Sequence, residues 1–141
     1  MTAITAAPIA SATSPGKGLD RTLWTLQIVL GLFFILASGA PKLVGQADAV
    51  QSFAEIGFGT WFMYFTGVVE VAGGVGLMVR RLSGLAAAGL SITTVLAAAT
   101  QAFLLDAPGL SIFPLVLAVL FGWIAYQRRD TIAALSARAR R

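Results

Sequence analysis

Between residues 23 and 126 the chain runs through four apolar stretches with little else between them. They extend from about Leu23 to Ala40, from about Trp61 to Val79, from about Leu82 to Leu105 and from about Leu110 to Tyr126. Each holds about 17 to 24 residues, and roughly 20 residues cross roughly 30 Å of hydrocarbon at 1.5 Å per residue. Backbone N–H and C=O groups cannot stay unpaired in lipid, so a spanning stretch must be a helix or part of a closed barrel. The strict alternation of a membrane barrel is missing here. The expected fold is therefore all-α, an integral membrane four-helix bundle. Composition agrees: 57% of the 141 residues are hydrophobic and 11% charged, against roughly 25% charged in a soluble domain.

Basic residues orient the bundle. Lys17 and Arg21 precede the first stretch, Arg80 and Arg81 separate the second and third, and Arg128, Arg129, Arg138, Arg140 and Arg141 follow the fourth. With four spans all of these fall on one side, leaving Lys42 with Asp48, Glu55 and Asp106 on the other. Nine of ten basic residues on one side predict that both termini are cytoplasmic. That placement, with a net charge of +4, suits a bacterial cytoplasmic membrane and its anionic lipid rather than nucleic acid, for which no basic reading face is evident. Trp24, Trp61, Tyr64, Trp123 and Tyr126 lie near the predicted helix ends, where aromatic rings favour the interface.

Three connecting regions complete the plan. Residues 1–21, rich in Ala, Ser, Thr, Pro and Gly, form an expected disordered tail rather than a signal peptide, because no basic start precedes an apolar run. The four-helix domain covers residues 22–127, and a basic cytoplasmic tail covers 128–141. In the long connection after Pro41, Val50, Phe53, Ala54 and Ile56 are spaced for a short amphipathic helix that Asp48 could cap. The final segment "DTIAALSARARR" is expected to act chiefly as a stop-transfer and solubility flank, with a helix near anionic headgroups as the alternative.

The feature that asks for an explanation is Glu70, set in "YFTGVVEVAGGVGLMV" with four glycines around it. Counted from Arg80 it lies about 15 Å into the membrane, where a charged carboxylate costs about 2.5 to 3.5 kcal/mol on insertion scales. It needs a partner. Lys42 is the one basic residue on that side, but helix rise leaves an axial gap of about 12 Å between the two. The other candidates lie on the third helix, where Ala87, Ser91, Thr94, Ala98 and Gln101 recur on one face. On the second helix Gly67, Glu70 and Gly74 share a face, and Gly67 and Gly74 would let a neighbouring helix approach closely. The candidate polar intramembrane site is thus Glu70, Lys42, Ser91, Thr94 and Gln101. With no Cys and no His in the sequence, thiol chemistry and the usual ligands for zinc, haem or iron–sulfur clusters are excluded.

Three elements follow in order over about residues 22–127: "LGLFFILASGAPKLVG", "FAEIGFG" and "TGVVEVAGGVGLMVRRLSGLAAAGL". Together they resemble the DoxX-like family of small four-helix membrane proteins. Lys42 and Leu43, then Phe53, Ile56 and Gly57, then Gly67 and Glu70 stand at the family's motif positions. Relatives often carry a His near the outer end of the third helix; here "ATQAFLLD" offers Gln101 instead. The resemblance implies a small accessory or quinone-contacting subunit associated with a membrane oxidoreductase, not catalytic by itself. On that reading quinone is the one expected cofactor, and an oxidoreductase protein and a homo-oligomer are the expected partners besides the bilayer. The alternatives are a proton- or cation-coupled transporter using Glu70, and a non-catalytic scaffold.

Overall fold

The computed structural model describes residues 15–141; the expected N-terminal tail falls largely outside them. Among the described residues the helices are joined by short turns with no strand, and four helices are long and apolar enough to cross a membrane. These spans are α1, Lys17–Leu43; α3, Thr60–Met78; α4, Ser83–Phe103; and α5, Ile112–Gln127, which is entered through a 3-10 turn at Pro108–Ser111. The short helix α2, Ala47–Ile56, lies between α1 and α3, and α6, Arg129–Ala139, follows α5.

The first span differs from the expected one at both ends. It starts at Lys17, behind Gly16, and continues through Pro41 instead of stopping at Ala40. Proline lacks an N–H, and its ring crowds the carbonyl four residues earlier, so a regular helix should break there. The chain avoids this by widening into a π-helical segment over Phe34–Gly39, in which the Ala40 N–H donates to the Ile35 carbonyl. The buried residues record the widening. They fall at Leu23, Gln27, Gly31 and Phe34, then next at Gly39. A five-residue step replaces the usual three or four.

α1 and α3 pack closely because both carry glycine at the crossing. A Cβ at Gly74 would lie 2.7 Å from the Gly31 carbonyl oxygen, closer than two such atoms can sit. α4 packs mainly against α5, and α3 joins the two pairs. The core sits in the half of the bundle nearer the termini, around Leu23, Phe34, Leu77, Leu90, Phe121 and Ile124. Phe34 and Phe121 meet edge to face at 5.2 Å. Large apolar side chains such as Val29, Phe65, Ile92 and Val119 cover the outside, as a lipid-facing surface requires.

Charged and polar groups tie the terminal end together. Arg128 donates to Asp20 Oδ1 at 2.6 Å and to Gln27 Oε1 at 2.9 Å, and Gln27 Nε2 donates to the Leu77 carbonyl at 2.8 Å. The start of α1 and the end of α5 are therefore on the same side of the bundle. The tail after Arg128 is not a plain flank: α6 docks on the start of α4, where the Gly84 N–H donates to Thr131 Oγ1 at 3.2 Å. The amphipathic helix α2 is present, but Asp48 does not cap it. Gln46 holds the cap position without a side-chain bond, and Asp48 sits in the first turn, where its charge complements the helix dipole.

Candidate functional site

Lys42 lies in the last turn of α1, still helical because of the π segment before it. Side chains on a helix tilt toward its N-terminus. α1 rises toward the non-terminal side and α3 descends from it, so the tilts of Lys42 and Glu70 bring them toward each other. Lys42 Nζ donates to Glu70 Oε2 at 2.7 Å, closing the gap left by helix rise alone. Gly67 supplies the room: a Cβ there would lie 3.0 Å from Lys42 Cβ, so the lysine stem runs directly against α3.

The lysine is fully occupied. Its ammonium also donates to the Ser38 carbonyl at 2.9 Å and to Ser38 Oγ at 3.2 Å, matching its three N–H groups. Both partners are well shielded, with side chains 17% and 9% exposed. Glu70 Oε1 has no hydrogen-bond partner among the described residues and is not sealed off.

Beside this pair lies a cavity of about 670 Å³ in the half of the bundle away from the termini. Lys42, Glu70 and Ser38 line one part of it, and Phe53 and Phe62, 5.7 Å apart, line another. α2 contributes Asp48, Ser52 and Ile56, and α4 contributes Thr93, Ala97, Thr100 and Gln101. The volume falls within the roughly 300 to 1,000 Å³ of small-molecule sites.

Gln101 thus borders the cavity, whereas Ser91 and Thr94 do not belong to the site. Ser91 donates to the Ala118 carbonyl on α5 at 2.8 Å, and Thr94 bonds the Leu90 carbonyl of its own helix at 2.8 Å. The small-residue face of α4 is turned to α5, and the neighbouring face with Thr93, Ala97 and Thr100 looks into the cavity. A helix with two neighbours has two buried faces, and spacing alone does not say which neighbour each one meets.

Ser38 completes the site without having been singled out by spacing, and α2, expected from its spacing as an amphipathic helix, contributes a wall of the cavity. The signal for Ser38 was its position four residues before Lys42, visible once α1 is continued through Pro41. The Asp20–Gln27–Arg128 network had a fainter signal, a glutamine inside an apolar run.

Comparison with curated proteins and with solved structures gave no significant match. The family model of the DoxX-like family matches residues 25–124, a span that contains Lys42, Glu70 and the cavity they border. The chain is a membrane protein, with four spanning helices among the described residues, and it belongs to the DoxX-like family.

Proposed function

We propose that this protein is an accessory subunit of a membrane oxidoreductase, and that its cavity holds the head of a quinone. The observation that carries this reading is an ion pair, Lys42–Glu70, set in the wall of an aromatic-lined cavity inside a membrane bundle. Intramembrane charges are costly and usually mark a functional site. A flat, partly polar ring on an apolar tail suits phenylalanine walls with a few polar groups. The sequence has no Cys or His to hold a redox centre, so a partner protein would carry the electrons. The basic rim at the terminal end favours termini in the cytoplasm of a bacterial plasma membrane.

A coupled transporter fits less well. Such a carboxylate must exchange partners during a cycle, whereas the lysine beside Glu70 is anchored by two further bonds to Ser38.

Purification of the tagged protein in a mild detergent tests the proposal. An oxidoreductase should co-purify and reduce or oxidise a short-chain quinone, and turnover should fall about tenfold or more with Glu70→Gln or Lys42→Met. Recovery of the bare protein, or turnover indifferent to both changes, would overturn it.

A further inference from the structure

The hydrogen-bonding groups around the cavity are unevenly matched, and the imbalance says which head group fits. All three N–H groups of Lys42 are already given to Ser38 and Glu70. The hydroxyls of Thr66, Thr93 and Thr100 donate to carbonyls of their own helices. The donors left over are the Ser38 hydroxyl and the Gln101 amide. On the accepting side stand Glu70 Oε1, on a residue 7% exposed and with no partner among the described residues, and the exposed carboxylate of Asp48 on α2. A hydrogen bond to a charged acceptor is roughly twice as strong as one between neutral groups. Both unused acceptors ask for a donor, and the shielded Glu70 gains more from one than the exposed Asp48.

A carbonyl offers none. A cation would donate, but it would meet the Lys42 ammonium, 2.7 Å from the same carboxylate. A neutral hydroxyl satisfies both constraints. We infer that the site selects a lipophilic phenol-type head, the hydroxylated (quinol) form, over the oxidised quinone, with one hydroxyl donating to Glu70 Oε1. The inference rests on the quinone-linked reading above, which is itself indifferent to oxidation state. In this arrangement Lys42 is a positioning residue: it holds the carboxylate's other oxygen and leaves Oε1 turned to the ligand.

Equilibrium binding to the purified full-length protein in lipid nanodiscs, under anaerobic conditions, tests it with three ligands that share one ring and tail. These are decylubiquinol, decylubiquinone and the dimethyl ether of decylubiquinol, which cannot donate. The quinol should bind about tenfold more tightly than either of the others, the scale of one charge-assisted hydrogen bond. Glu70→Gln should narrow that ratio to about threefold or less. The dimethyl-ether comparison is made on the wild type, so it stands even if the variant folds poorly. Equal or tighter binding of the quinone overturns the preference while leaving the quinone site in place. No binding of any of the three overturns the quinone site and the preference with it.

Discussion

At the terminal end of the bundle Arg128 reaches Asp20 and Gln27 across α1 and α5; at the other end Lys42 reaches Glu70 across α1 and α3. Both are cation–carboxylate pairs of similar length, and their surroundings differ. Around Arg128 the core closes, with Leu23, Leu77 and Ile124 fully buried and Trp24 under the guanidinium at 5.5 Å. Around Lys42 the helices leave a cavity. A pair whose arginine is packed against the core, with Asp20 at its outer edge, serves to hold elements together. A pair in a cavity wall keeps a face for something else. The first is a fastening and the second is a site, and surroundings rather than chemistry separate them.

Breaking the ion pair at each end should give unequal losses. Arg128→Met strands the buried Gln27 carbonyl and Asp20. It should cost about 3 kcal/mol in unfolding titrations in mixed micelles, the lower part of the range for breaking a buried pair, because Asp20 is a third exposed. A loss of only a few tenths would make the two ends alike. Gly74→Ala tests the helix crossing that both ends share. Its Cβ would meet the Gly31 carbonyl at 2.7 Å, and overpacking of this kind costs about 2 kcal/mol. It should also loosen the Lys42–Glu70 contact, measurable as weaker ligand binding.

Glu70→Gln should cost about 1 kcal/mol of stability, because Ser38 still accepts from Lys42 and a glutamine oxygen can replace the carboxylate. Its larger effect should appear in binding or turnover. A stability loss as large as that of Arg128→Met would make the Glu70 pair a second fastening. Thr131→Ala is the smallest change, about 0.5 to 1 kcal/mol for the bond to the Gly84 N–H. Hydrogen exchange should show α6 protected less and the cavity end unchanged.

The comparison also explains what could be seen in the sequence. Four spans were legible because length and apolarity are properties of a run, independent of neighbours. Membership of the DoxX-like family was legible in the ordered elements around Lys42, Gly57 and Glu70. The partner of Glu70 was visible only as a candidate, because its distance depends on helix tilt and on a helix that runs on past Pro41. Ser91 and Thr94 were placed beside Glu70, but Ser91 bonds α5 and Thr94 its own helix, since a buried face does not name what buries it. The terminal fastening joins residues 108 positions apart, and its one hint in the sequence, Gln27 inside an apolar run, does not name the partner.

The widened turn in α1 has a further consequence. In a regular helix one residue of misregister swings everything beyond it by about 100°. Phe34–Gly39 takes up that residue inside a single wide turn. Gly31 meets Gly74, Gly39 meets Gly67 and Val71, and Lys42 meets Glu70, so all three face α3. The segment thus works as a register compensator along one rod, and a plain α-helical turn in its place would swing the lysine away from Glu70 toward the acyl chains.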